Sequence, residues 1–516
     1  MSKPAGNASF QAPKGTRDLY PEDLLRRRYL TQVWRDTAIR HGFDEIDGPT
    51  FEEARLYSVK SGDGILGELF QAFSGKSPDE VERVRETGMA PFALRPEFTP
   101  TLARLYAARA RQLPQPTKWF SIGPYFRAER PQRGRLREFL QWNMDVIGGP
   151  EPDLDSEEPQ SESNRAKRAR LVQSDVDCVE ACIASLEAFG LSSRSVQLAL
   201  SDRHLAAAHL VAAGLSAGSI DEGLAMLDRV AKLPREVAVE QARALGFDLN
   251  KYVRAATLSQ GLFSSGKDWA AIDTSQGKVV ANYLRIKSIG EVLGATGRLD
   301  WCQLQLSVVR GLAYYTGTVF EAIADGERAV AGGGRYDGLV ELLGGPRTPA
   351  VGFAMGDVVV SLLLEDKGLL PKGAELMDAV SRAPASVRPE AFVVSADERL
   401  GDPHVAALVA RLRRGVECQA WLEREDRKPW ACDRYALRPM HARQTYKSTT
   451  NLKKLLADAE KQHARFAVVV HDEHKVQLKD LDRREELTHP TRGDFSADPA
   501  SEAYVGRAIV DALDGR

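Results

Sequence analysis

Apolar residues recur at helical spacing between positions 21 and 41 (Leu24, Leu25, Tyr29, Val33, Trp34, Ala38). That period predicts a helix, opened by Asp23 or Glu22 and stopped by Gly42. A strand is predicted over 43–51, where it meets Pro49. Residues 126–148 read FRAERPQRGRLREFLQWNMDVIG, an arginine-rich run that turns apolar and alternating, with Gln141 and Asp145 four apart. Successive strand side chains point to opposite faces. A strand, a basic loop and a returning strand are therefore predicted, the sparse polar residues of the second strand facing a small pocket.

The pattern is helical again over 171–189, ended by Gly190, and a strand follows at 196–200. From 202 to about 289 it stays mostly helical, with breaks at Gly214, Pro234, Gly246 and Gly261. Strands return at 302–308 and 318–324, followed by a glycine run, a helix over 336–343, a buried strand at 350–355 and a helix through 364. A strand at 391–395, helices at 403–414 and 449–462 and a strand at 466–470 give an alternating α/β pattern. The expected organisation is a mobile lead-in at 1–12, a main domain in two parts (13–200 and 296–365), a helical insertion at 201–295, a linker at 366–389 and a terminal α/β domain at 390–516. The stretch 151–167, rich in Glu, Ser, Pro and Asp, is expected as a solvated loop.

The chain has 516 residues, 43% hydrophobic and 28% charged, an ordinary globular composition with room for two to four cores. Its net charge of −2 announces no nucleic-acid partner globally, but only a local patch needs to be basic. Residues 411–454 hold twelve Lys or Arg against five Asp or Glu, which suits RNA phosphates or a solvated basic surface. The five cysteines are sparse and odd in number, without zinc spacing, and no metal site is expected. Cys178 and Cys182 read as small core residues. No disulfide framework is expected, which fits a reducing compartment. No apolar run reaches eighteen residues, so no membrane helix is expected. The first dozen residues lack the apolar centre of a secretion signal.

Arginine grips phosphate well, because its planar fork donates several hydrogen bonds and keeps its charge. Five arginines (Arg127, Arg130, Arg133, Arg135, Arg137) crowd the basic loop around Glu129 and Glu138. Alone they would fit a hairpin tip in solvent. Four other segments change that reading: PKGTRDLYPED at 13–23, LRPEFTP at 94–100, VRGLAYYTGTVFE at 309–321 and GGGRYDG at 332–338. Together, in this order and over nearly the whole chain, they resemble histidyl-tRNA synthetase, a class II aminoacyl-tRNA synthetase. The Arg-Gly-Leu-x-Tyr-Tyr segment is the part that points to histidine.

The resemblance implies an α+β fold: an antiparallel sheet flanked by helices, a helical insertion near the tRNA acceptor arm, and a C-terminal anticodon-binding domain. It implies a cytoplasmic histidine–tRNA ligase, a homodimer with no membrane association, acting on histidine, ATP and tRNA(His), with Mg2+ arriving on ATP. By resemblance Arg127 contacts the α-phosphate and the amino-acid carboxylate. Glu129 reads the adenine edge or orders the loop, Arg135 meets the outer phosphates and Phe139 stacks on adenine. Arg310 is the family's special catalytic cation. Glu97 and Gln141, with Thr99, hold the histidine ammonium. Asp145 and Tyr315, next to Tyr314, bind the imidazole, and Tyr336 closes the pocket. Many family members have Glu where Asp145 stands. Arg130 and Gln132 are expected at the tRNA acceptor end.

Two positions depart from the family pattern. Ala313 replaces the acid of Arg-Gly-Leu-Asp-Tyr-Tyr, and Asp357-Val358-Val359 replaces Leu-Glu-Arg, so Val359 stands where an arginine normally grips the γ-phosphate. Arg335 or Arg133 is a candidate to supply that charge. The breaks leave a second reading, a non-catalytic paralogue: a histidine-sensing regulatory subunit of ATP phosphoribosyltransferase, or a tRNA-binding module. Residues 427–446 look longer than the family's usual connection and have no functional account.

Overall fold

The computed structural model describes residues 11–61, 67–149, 172–230, 233–265, 277–308, 315–324, 329–381, 385–396, 403–417, 437–447 and 449–514. The expected loop at 151–167 and most of the lead-in lie outside them.

One sheet of eight strands carries the first domain, in the order β1-β5-β6-β11-β10-β9-β7-β8. These are β1 (Asp44–Glu45), β5 (Thr117–Phe126), β6 (Glu138–Ile147), β7 (Val196–Asp202), β8 (Cys302–Leu304), β9 (Thr318–Ala324), β10 (Ala331–Arg335) and β11 (Ala350–Gly356). The six inner strands are antiparallel; β1 and β8 add parallel at the two edges, so the sheet is mixed rather than wholly antiparallel. The segment expected as one strand at 43–51 splits between two sheets: β1 joins the large one, and β2 (Phe51–Glu53) joins β4 (Phe92–Leu94) and β3 (Gln71–Ala72) in a small one.

The alternation of β6 decides where the core lies. Leu140, Trp142, Met144 and Val146 point into the main core, and Phe139, Gln141, Asn143 and Asp145 point the other way. On the core face lie the helix Pro21–Arg40 and the helix Gln173–Ala188, which buries Cys178 and Cys182. Trp34 stacks on Trp142 with ring centroids 6.0 Å apart, and Trp142 meets Phe353 edge-on at 5.2 Å. Full burial of such aromatic side chains makes them leading contributors to core stability.

Helices Arg203–Ala212, Ile220–Val230, Arg235–Ala244, Leu249–Ser265 and Gly277–Ala295 form the insertion. It is bound to the sheet through a charge cluster. Asp175, fully buried, takes Arg335 Nη2 at 2.5 Å and Arg285 Nη2 at 3.2 Å. The stretch expected as a linker holds the helix Gly373–Val380, which packs on Pro21–Arg40 and buries Leu376 and Ala379 in the main core. Its prolines bracket an amphipathic turn pattern, which a count of small residues and prolines conceals.

The C-terminal sheet runs β15-β12-β16-β17-β18, from β12 (Ala391–Ser395), β15 (Ala442–Gln444), β16 (Phe466–Val470), β17 (Val476–Asp480) and β18 (Glu485–Leu487). The helices Pro403–Arg414 and Val505–Asp514 pack on one face and Leu452–Lys461 on the other. In the segment at 427–446, β14 (Leu437–Arg438) pairs with β13 (Val416–Glu417) and Ala442 opens β15; residues 427–436 lie outside the described residues. This domain docks on the first through buried polar groups. Asp177 accepts from Lys118 Nζ at 2.7 Å and from the Tyr446 hydroxyl, and Lys118 also reaches the His41 carbonyl at 2.8 Å. Burial, only partly offset by Asp177, brings the Lys118 ammonium down to about 8.

Candidate active site

The polar face of β6 forms the floor of a cavity of about 690 Å³. Glu97, Thr99, Arg127, Arg135, Phe139, Gln141, Asp145, Tyr315 and Tyr336, all named from sequence, line it together. Such a volume is in the usual range for small-molecule sites, which place a few polar groups in an otherwise apolar lining.

Glycine makes the floor possible. Gly352 of β11 faces Asp145 across the ladder, and a Cβ on it would sit 1.8 Å from Asp145 Oδ1. A Cβ on Gly334 would meet Tyr315 Cδ1 at 2.8 Å. The glycines of β10 and β11 thus leave room for the carboxylate and the phenol. Tyr336 Oη donates to Asp145 Oδ1 at 2.6 Å. Burial, and then the neighbouring carboxylate, hold the Tyr336 phenol well above its ordinary pKa, so it remains a donor.

Glu97 lies just before the helix Thr99–Arg109. Its loop is held by Arg95, whose buried guanidinium donates to Pro124 O at 2.9 Å and to Asp47 at 2.7 Å and lies 4.8 Å from the Tyr125 ring centroid. A Cβ on Gly123 would be 2.1 Å from that guanidinium, so glycine is needed there. Arg127 Nε donates to the Pro96 carbonyl at 3.2 Å and its guanidinium stands 5.2 Å from the Phe139 ring centroid. The cation and the aromatic platform are therefore one unit. The Gln141 Oε1 atom is buried and has no hydrogen-bond partner among the described residues. A buried acceptor left so is costly unless a ligand donates to it.

Other expected residues fall elsewhere. Glu129 pairs with Arg135 and does not line the cavity, a geometry that suits ordering the loop. Arg130 and Gln132 are exposed at the hairpin tip, where Gln132 and Arg135 bridge each other. Arg310, Ala313 and Tyr314 lie outside the described residues. Val359 lines the cavity, as expected of the position. Neither cation named to replace its arginine is on that lining. Arg335 lies on the opposite face of β10, clamped by Asp175 and Asp337, and Arg133 reaches Asp366 at 2.8 Å on the exposed side. The Arg335 side chain is instead buried against Asp175, on the helix Gln173–Ala188 that packs on the core face of the sheet.

Sequence reading missed Asn143 and Glu321, both on the lining. Asn143 was legible, since it stands between Gln141 and Asp145 with the same parity. It donates to the Tyr125 hydroxyl at 3.1 Å.

The histidyl-tRNA synthetase family profile matches residues 15–158 and 169–357. A histidine–tRNA ligase of Opitutus terrae is 38% identical over 374 residues, 72% of this chain and 78% of that one. The chloroplastic/mitochondrial histidine–tRNA ligase of Arabidopsis thaliana is 36% identical over 372 residues, 71% and 69% of the two chains. The crystal structure of histidyl-tRNA synthetase from a Nostoc species superposes with a TM-score of 0.51 at 19% identity, covering 98% of this chain and 100% of that one, a likeness of fold. The family match covers most of the chain and the relatives span it broadly, so the chain belongs to the histidyl-tRNA synthetase family.

Proposed function

We propose that this protein is a histidine–tRNA ligase: it joins histidine to ATP as histidyl-adenylate and passes the histidyl group to tRNA(His), releasing pyrophosphate and AMP. The observation that carries this reading is the single cavity shared by the Arg127–Phe139 pair and the Asp145–Tyr336 pair. One pair suits a nucleotide and the other an imidazole.

Asp145 accepts from one imidazole nitrogen while Tyr315 engages the other. Tyr336 fixes the carboxylate's orientation. The unpartnered Gln141 Oε1, with Glu97 and Thr99, receives the histidine ammonium. Arg127 draws the histidine carboxylate and the α-phosphate together, and Phe139 carries the adenine. Holding the reactants in line and neutralising charge as the phosphorus becomes five-coordinate is most of the catalysis such a step requires. Arg310 adds a further cation and Arg135 meets the outer phosphates, leaving Glu129 to do so. Mg2+ would come with ATP, keeping most of its water, and would offset phosphate charge there. Arg130 and Gln132, exposed at the hairpin tip, meet the acceptor end of the tRNA, and the C-terminal domain takes the anticodon.

The protein acts as a cytoplasmic homodimer. Support for the dimer comes from the small sheet, where Phe51 and Phe92 are exposed and their rings meet at 5.7 Å, and from Phe73 and Met89, exposed in the segments next to its strands. Exposed apolar clusters of this kind mark interaction surfaces. No helix among the described residues is long and apolar enough to cross a membrane. The test is charging of tRNA(His) transcript with labelled histidine: product with histidine alone supports the reading, and histidine binding without product would favour the sensing paralogue.

A further inference from the structure

Among the described residues, Val358 and Val359 leave one part of the cavity lining without a cation. Gly134, Arg135 and Leu136 of the basic loop line the cavity together with Gly356, Val358 and Val359. Arg135 is engaged with Glu129. Gly356 precedes the helix Asp357–Asp366, whose lining residues Val358 and Val359 are uncharged and whose first residue is a buried carboxylate. A triphosphate beside Val358 and Val359 would meet no cation of the helix's own first turn.

The N-terminal strap reaches Asp357, the residue between the lining residues Gly356 and Val358. Gly15 O accepts from Arg137 N at 2.8 Å, fixing the strap along the returning edge of the basic loop. Gly15 has φ +89, and a Cβ there would lie 2.7 Å from Pro131 Cγ and 2.9 Å from Arg137 Cγ, so the close approach and the left-handed backbone both require glycine. Two residues on, Arg17 Nη2 reaches Asp357 Oδ2 at 2.7 Å, while Asp357 Oδ1 accepts from Leu140 N at 2.8 Å. The Arg17 side chain is 32% exposed, against 5% for Asp357, so the guanidinium is open to solvent on one side while its partner is buried. A guanidinium has five donors in a fork, enough to keep a carboxylate and meet a phosphate together.

We propose that Arg17 is a further ATP-binding residue, supplying from the N-terminal strap the outer-phosphate cation that Val359 does not. Asp357 holds its guanidinium, and the pair offsets the carboxylate's charge beside Val358 and Val359. The phosphate role rests on the ATP-dependent reading above, but its test needs no histidine and no turnover, so the two can fail separately.

The experiment is calorimetric binding of a non-hydrolysable ATP analogue and, separately, of AMP to the full chain, wild type against Arg17→Ala. AMP keeps the adenine and α-phosphate but lacks the outer phosphates. The expected result is an analogue affinity weakened about ten- to a hundredfold, the scale of one charge-assisted hydrogen bond, with AMP affinity unchanged. Arg17→Gln combined with Asp357→Asn keeps a neutral hydrogen-bonded pair and guards against a folding defect; it should show the same selective loss. Equal loss for both ligands, or no loss for the analogue, overturns the proposal.

Discussion

Tyr336 and Asp145 are joined by a 2.6 Å hydrogen bond within the cavity, with both side chains buried. The phenol cannot ionise near neutral pH, because burial and the carboxylate both oppose it. It therefore holds Asp145 in one orientation. Tyr336→Phe should raise the histidine KM about tenfold or more, the scale of a hydrogen bond to a charged group, and leave the ATP KM nearly unchanged. Asp145→Asn should cost more, since it removes the charge itself. Steady-state exchange with varied histidine reads both; a Tyr336→Phe enzyme with an unchanged histidine KM would contradict the assigned role.

Gly352 gives Asp145 its space. Because a Cβ there would fall 1.8 Å from Asp145 Oδ1 and 2.7 Å from Met144 O, Gly352→Ala must displace the carboxylate or part the strands. Histidine binding should fall below detection by calorimetry while circular dichroism retains the native secondary structure. Wild-type histidine affinity in Gly352→Ala would show that the carboxylate has slack.

Arg335 serves the fold rather than the substrate. Its two contacts to Asp175, at 2.5 and 3.2 Å, belong to a cluster that also holds Arg285 of the insertion. Arg335 and Arg285 hold the Asp175 carboxyl down at about 2 despite full burial. Its folded pKa is below the ordinary 3.8, so the stabilisation is complete above that value and is lost as pH falls toward 2. Arg335→Met leaves a buried carboxylate short of a partner, a change that typically costs about 3–5 kcal/mol. The melting temperature should drop by several degrees at pH 7.5, and the ATP KM of the folded fraction should stay near wild type.

The insertion should be acid-sensitive through His209. Burial lowers this imidazole to about 4, and its Nε2 lies 3.1 Å from Ser259 Oγ, joining two helices. The neutral form is the folded form. Stability is therefore full above the ordinary value of 6.5 and declines as pH falls from there to about 4. His209→Gln should flatten the melting temperature between pH 6.5 and pH 4.5 relative to wild type. An identical slope would place the sensitivity elsewhere.

Much of this was legible from the chain. Helical spacing at Leu24 to Ala38 announced the first helix, and the alternation after Glu138 announced β6 and its polar face, because periodicity survives in sequence. Asn143 shared that alternation and was overlooked for want of a motif. What pattern could not show was anything set by distant pairing. The sidedness of Arg335 follows from β10 lying between β9 and β11, and the clasp between Arg17 and Asp357 spans 340 residues. The helix Gly373–Val380 was hidden by the prolines around it, its burial decided by the first helix against which it packs.

The central claim is that this cavity activates histidine. Its most direct test is ATP–pyrophosphate exchange by the purified full chain, with each of the other amino acids as a control. Exchange with histidine alone is the predicted result, and it would show that Val359 is compensated. Absence of exchange, with histidine still bound in calorimetry, would contradict it and leave a histidine-sensing protein built on a ligase fold.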